Sequence, residues 1–195
     1  MILYLDTETT GLRPGQICQL SYVMQTPTEV IAKNKFFSVD NVEYGAFCVH
    51  GFSVEKLKYL SQGKTFSDHA LEIYNDLENA NVVVAHNASF DMMFLRSEFE
   101  NLGQILPIQN SFCSMKNTTA VCKLKGRREG YKYPKLSELT TYLGITDFEI
   151  LNTAKLLFGC SCGYHDARFD TTALYLAMYK GMNCEPSLAS LKEYL

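Results

Sequence analysis

The 195-residue chain has no stretch approaching the roughly 20 consecutive apolar residues of a membrane span, which argues against a membrane partner. Asp6, the first residue with a chemical claim, comes too early for a cleaved leader to precede it. Cysteine has no disulfide framework: seven residues (18, 48, 113, 122, 160, 162 and 184) are odd in number and irregular in spacing, which reads as free thiols in a reducing compartment, the cytoplasm by default. Internal repeats, low-complexity tracts and convincing linkers are also missing; the stretch near Gly126 to Gly130 comes nearest to a linker. With 47% hydrophobic and 20% charged residues, the expectation is one domain over residues 1–195.

An overall basic excess is lacking too, since the net charge is −3. Its distribution is uneven. Residues 116–135 carry seven Lys/Arg against the single acid Glu129, a local charge of +6, and the remaining 175 residues sum to −9. Within this segment Lys123, Lys125, Arg127 and Arg128 interleave with Tyr131 and Tyr133, a composition suited to tracking phosphates and stacking on bases, or equally to a solvated loop.

What is present begins with MILYLDTETTGL. In a strand, side chains alternate faces, so Ile2, Tyr4 and Asp6 share one side and Glu8 continues it if the strand persists. Two carboxylates then converge at a strand end. Further strands are expected at 16–25 and 30–39, joined by turns that favour antiparallel hairpins, then at 82–85 and near 111–115. Helices are expected at 53–60 with Ser53 as cap, at 66–79, from about Ser89 to Leu102, at 136–143 and 151–158, and from about Asp166 to Tyr179. For 66–79 two buried stripes compete, Leu71/Tyr74/Leu77 and Ala70/Ile73/Leu77. Strands first, then strands alternating with helices, indicate an α/β layer structure with an antiparallel edge.

Two of these helices carry an acid on the apolar face. Stepping back from Phe94, Leu95, Phe99 and Leu102 lands on Asp91; in the last helix Asp170 lies three residues from Ala167 and four from Leu174. A lone buried carboxylate costs several kcal/mol, so each needs a cation or a full set of donors. Four acids without matching buried basic residues suit hard divalent cations, Mg2+ or Mn2+, and a pair about 3.5–4 Å apart is the usual clamp for phosphodiester chemistry. Without these four acids the chain's charge would be +1, so cations at the site leave a polyanion free to approach.

LDTETTGL, AHNASFDMMFL and HDARFD together resemble, in order and spacing, the three motifs of the DnaQ-like (DEDDh) 3′-to-5′ exonucleases, the group of the proofreading epsilon subunit, oligoribonuclease and ribonuclease T. VHGFS (49–53), FCSMKNT and YPKLSEL extend the resemblance over roughly residues 1–180, with motifs spanning 5–170 and residues 181–195 left as a C-terminal extension of a single exonuclease domain. The resemblance implies a ribonuclease H-like fold: a five-stranded mixed sheet, three antiparallel strands followed by two parallel ones, with helices on both faces. It implies metal binding by Asp6, Glu8, Asp91 and Asp170, and His165 as general base. An imidazole titrates near neutrality and can take the attacking water's proton, after which a nucleoside 5′-monophosphate leaves.

The same resemblance places Thr9, Thr10, Gly11 and Leu12 where the terminal nucleotide is held, with Leu12 against the last base, although core packing also explains Leu12. Asn87 and Phe90 stand where the family shapes the site, a helix cap and a core aromatic being the plainer roles. Cys160, Cys162 and His165 form C-x-C-x2-H, which Cys184 could complete as a zinc site. The implied partner is a nucleic acid 3′ end, single-stranded or frayed, with DNA favoured over an RNA-trimming activity. A non-catalytic binding module on the same fold and an endonuclease of the wider superfamily are the alternatives. A polymerase or other replication partner is not readable from these residues.

Overall fold

In the computed structural model of the chain, residues 1–127 and 129–195 are described. Three strands come first, β1 (Ile2–Thr9), β2 (Ile17–Gln25) and β3 (Val30–Phe36), followed by helices α1 (Tyr44–His50), α2 (Val54–Leu60) and α3 (Phe66–Glu78). Next are β4 (Val82–Ala85), α4 (Ala88–Asn101) and β5 (Ser111–Cys113). The chain continues through the short α5 (Ser114–Asn117) and α6 (Thr119–Cys122), α7 (Leu136–Tyr142), α8 (Asp147–Phe158), the long α9 (Ala167–Cys184) and a 3-10 segment over Pro186–Tyr194. The sheet order is β3-β2-β1-β4-β5; β1 pairs antiparallel with β2 and β2 with β3, while β1–β4 and β4–β5 are parallel. This is the five-stranded mixed sheet of the ribonuclease H-like fold.

β1 is central, with its first four side chains fully buried, which is why it reads as a continuous apolar run. Alternation divides them between two cores. Leu3 and Leu5 pack with Ile73, Leu77, Phe94, Leu95 and Phe99 on the α3/α4 side; Ile2 and Tyr4 pack with Leu139, Ile150, Leu174 and Met178 on the α7–α9 side. Each such fully buried Leu or Ile contributes about 1.5–3 kcal/mol. Asp6 and Glu8 inherit the α9 side by parity, and Thr7 the α4 side.

Burial decides between the two stripes of α3: Ala70, Ile73 and Leu77 are buried, and Leu71 faces solvent. Ser53 caps α2 by accepting from the Lys56 N–H. α8 begins four residues earlier than the sequence expectation because Thr146 forms a capping box with Glu149. Helix α1 was not anticipated. α9 runs on to Cys184, and the segment beyond it buries Leu188 and Leu191 against the α9 core. No helix among the described residues is long and apolar enough to cross a membrane.

Candidate active site

Three elements bring the acids together. Asp6 and Glu8 come from the end of β1 and Asp170 from the first turn of α9; one carboxylate oxygen from each lies within 4.8 Å of the other two. Asp91, in the first turn of α4, approaches from the opposite face of the sheet. There Thr7, the residue between the two β1 acids, donates its hydroxyl to Asp91 Oδ1 at 2.9 Å. All four acids line one cavity with Thr7, His86, Phe90, Leu136 and His165, and no Lys or Arg among the described residues joins them there.

The electrostatics follow from that crowding. Burial, then the charges of Asp170, Asp91 and Glu8, hold Asp6 well above the usual carboxylate range. Burial and the neighbouring acids push Glu8 up to about 9. Burial lifts Asp91 to about 7 against the opposing Thr7 hydroxyl, and Asp170 to about 6 against the opposing charge of His165. An all-oxygen, acceptor-only donor set that repels itself fits hard divalent cations.

His165 sits in the turn before α9 with φ of 58°, a left-handed conformation rare outside glycine, and its side chain is exposed at the cavity. Asp166, adjacent to it, caps α9 by accepting from the Arg168 N–H at 3.1 Å. The zinc arrangement does not form: among the described residues the one cluster with metal-binding spacing is Asp6, Glu8 and Asp170, and Cys184 lies exposed at the far end of α9.

A second cavity shares Thr7, Glu8 and Phe90 with the first and is otherwise lined by Thr9, Gly11, Leu12, Glu43, Gly45, Ala46, Val49 and His50. A register shift between Glu8 and Thr9 in the β1–β2 pairing turns the chain into it. The two threonine hydroxyls face inward and hold this turn: Thr9 donates to the Gly11 carbonyl at 2.8 Å, and Thr10 accepts the Gln16 N–H at 3.2 Å. At Gly11 a Cβ would come within 2.4 Å of the Glu43 carboxyl carbon, so a side chain there would displace the Glu43 carboxylate from the cavity. Leu12 is 82% exposed at the cavity rim, which removes core packing as its explanation. Phe90 is half-buried and packs on Phe94 at 4.9 Å. Asn87 occupies the cap position of α4 in the left-handed region with φ of 69°, but its side chain makes no cap bond; it accepts from the Ser89 hydroxyl at 3.3 Å.

Among the lining residues that the sequence did not single out are Glu43, His50 and His86. Glu43 carried no signal. The signal for His50 was VHGFS: its Nδ1 accepts the Phe52 N–H at 3.0 Å, so Nε2 bears the proton and donates to the Thr9 carbonyl at 3.3 Å. His86 lies within the second motif; it bonds the Ser114 hydroxyl through Nδ1 at 2.9 Å and the Pro134 carbonyl through Nε2 at 3.0 Å, and burial lowers its basicity. His86 thereby ties the base of the basic segment to the cavity floor.

Beyond α6 the described part of that segment folds back on itself as a small hairpin. Lys125 bridges Tyr131, and the Lys132 N–H donates to the Leu124 carbonyl at 2.9 Å. Alternation puts Lys125, Tyr131 and Tyr133 on one exposed face, while Leu124 packs on the core and Lys132 pairs with Glu138. Lys123, Lys125 and Arg127 are exposed and line neither cavity; Arg128 lies outside the described residues.

With this geometry the chain falls in a known class. The RNase_T family model, described as exonuclease, matches residues 3–149, and the chain belongs to that family, in its DnaQ-like branch of the ribonuclease H-like superfamily. The matched span contains Asp6, Glu8 and Asp91 but ends before His165 and Asp170. The chain is 30% identical over 131 residues to DNA polymerase III subunit epsilon of Escherichia coli K12, covering 62% of this chain and 52% of that protein. Subunit epsilon of Buchnera aphidicola from Acyrthosiphon pisum is likewise 30% identical over 131 residues, covering 62% and 53%. The chain thus spans about half the length of these curated relatives. A metal-free crystal structure of the E. coli ExoI–ssDNA complex shares the fold with a TM-score of 0.70 at 16% identity, over 97% of this chain and 41% of that one.

Proposed function

We propose that this chain is a metal-dependent 3′-to-5′ exonuclease that removes nucleoside 5′-monophosphates from single-stranded or frayed nucleic acid ends, with DNA as the favoured substrate. The observation that carries the proposal is the adjacency of the two cavities: the one lined by an acid cluster with oxygens within 4.8 Å of one another shares Thr7, Glu8 and Phe90 with a largely apolar cavity of about 350 Å³. A terminal base lies between Leu12 and Phe90, and its phosphodiester falls over Asp6, Glu8 and Asp170.

Asp6, Glu8, Asp91 and Asp170 would hold two divalent cations, Mg2+ or Mn2+, which supply positive charge to the attacking and leaving oxygens. The chain's own residues do the rest. His165, exposed at the cavity mouth, accepts a proton from the attacking water. Thr9, Thr10 and Gly11 hold the backbone of the turn on which the terminal nucleotide rests, while Asn87 and Phe90 shape its far wall. Lys123, Lys125, Arg127 and Arg128 hold upstream phosphates, and Tyr131 and Tyr133 offer faces for upstream bases. The whole of residues 1–195 serves as one exonuclease domain. Seven unpaired cysteines support a cytoplasmic setting, and kinship to polymerase III epsilon subunits supports a polymerase as partner.

Digestion of matched labelled single-stranded DNA, duplex DNA and short RNA with Mg2+ tests this. Stepwise mononucleotide release from the 3′ end is expected, fastest on single-stranded DNA. Internal fragments would indicate an endonuclease, faster RNA trimming would reassign the substrate, and binding without release would leave a non-catalytic module.

A further inference from the structure

We infer that Arg168 is a positioning residue for His165, acting through a clamp that closes the turn over residues 160–168. The inference rests on reading His165 as the general base. A non-glycine residue keeps a left-handed backbone only where its surroundings hold it, and His165 is held on both sides. Before it, Tyr164 packs its ring on Phe169 at 4.7 Å and donates its hydroxyl to Asp147 of α8. After it, Asp166 is gripped by Arg168, whose Nε donates to Oδ1 at 2.8 Å and Nη2 to Oδ2 at 2.6 Å. The remaining nitrogen, Nη1, donates to the Cys160 sulfur, so one guanidinium joins the two ends of the turn.

The clamp is fastened to the sheet. Gln19 is fully buried on β2, directly across from Glu8. Its amide nitrogen donates to Asp166 Oδ1 at 2.9 Å, and its amide oxygen accepts the Ala167 N–H at 3.1 Å. A second donation to Asn34 Oδ1 at 2.8 Å fixes the amide's orientation. The connection therefore runs from the strand residue opposite a site carboxylate, through Asp166, to Arg168 and Cys160. His165 is the member of the turn left free to face the cavity.

Arg168 is not available to substrate. Its side chain is 16% exposed, all three guanidinium nitrogens are engaged, and its Cζ lies over the Phe36 ring, 5.5 Å from the centroid. A phosphate-binding role predicts weaker binding on mutation; a positioning role predicts slower chemistry with binding intact.

Arg168→Lys separates them, because lysine keeps the charge beside Asp166 but cannot span both carboxylate oxygens and Cys160. The expected result is a kcat lowered about 10- to 100-fold, with oligonucleotide KM and Mg2+ dependence within about twofold of wild type. In a His165→Ala background the same substitution should cost less than about twofold, since its effect passes through His165. The His165 imidazole resonances should shift or broaden in the folded Arg168→Lys protein, a readout that needs no turnover. An unchanged kcat, a raised KM with kcat kept, or equal losses in both backgrounds would overturn the inference. If His165→Ala itself retained full turnover, the general-base reading would fail, and the imidazole resonances would still decide whether Arg168 fixes the turn.

Discussion

The Thr7 hydroxyl points away from the two acids that flank it on β1 and donates to Asp91 on α4 at 2.9 Å, tying the acid on the α4 face to the strand that carries Asp6 and Glu8. Thr7→Val keeps the shape and removes the donor, leaving one Asp91 oxygen without its partner. Apparent Mg2+ affinity should weaken about tenfold, the usual effect of losing an outer partner of a metal-binding carboxylate. Titration of activity and of binding heat with Mg2+ would measure it; wild-type dependence would show that Asp91 is oriented by α4 alone.

Asp6→Asn should abolish hydrolysis while stabilising the metal-free protein. The carboxylates stand above their ordinary pKa in the folded state, so the folded form binds more protons than the unfolded one and stability falls as pH rises. The loss begins above the ordinary carboxylate range and continues through about 6, 7 and 9, where Asp170, Asp91 and Glu8 titrate. Thermal denaturation in EDTA from pH 5 to 9 should therefore show a falling Tm that is flatter in Asp6→Asn. At pH 8 the variant should melt higher by about 2–4 °C for each kcal/mol of repulsion relieved. A variant that melts lower at pH 8 would contradict the repulsive site.

His165→Ala should lower turnover by roughly 10²- to 10⁴-fold, the ordinary contribution of a general base. Metal binding should persist, and the pH–rate profile should lose its acidic limb. Unchanged activity at pH 8 would remove His165 from the chemistry.

Replacing Lys123, Lys125, Arg127 and Arg128 by Gln should weaken binding of a long oligonucleotide and flatten its salt dependence, each lost phosphate contact reducing the slope by somewhat under one unit. Dinucleotide cleavage should barely change, because Lys123, Lys125 and Arg127, the described residues among the four, line neither cavity. Equal losses on both substrates would point to a folding defect, and no loss on either would leave the hairpin as a solvated loop.

The legible part of this molecule was the part governed by periodicity. Alternation along ILYLD and the helical spacing around Asp91 and Asp170 place the acids on inward faces, and the structure gathers Asp6, Glu8 and Asp170 accordingly. Spacing could not say that Asp91 reaches the site from the other face of the sheet; that depends on β4 lying parallel beside β1, a pairing between residues some 80 positions apart. Helix α1 was hidden because Gly45 interrupts its pattern and its cap residue, Glu43, makes no side-chain cap bond. Glu43 and His50 join the second cavity only once that helix is docked. The clamp around His165 was unreadable for a similar reason: Gln19 in a strand and Cys160 in a loop look unremarkable until the fold brings them to Asp166 and Arg168.

The split of β1 between two cores limits how the gene for such a protein can vary. One residue inserted or deleted between Leu5 and Asp6 would put the two halves of the strand out of phase: with Leu3 and Leu5 kept in their core, Thr7 would turn toward α9 and Asp6 and Glu8 toward α4. Point changes at these positions cost a contact or a ligand. A single-codon length change there misplaces the whole apolar half or the whole acidic half of the strand at once, so length variation should be confined to the turns between strands and to the basic hairpin.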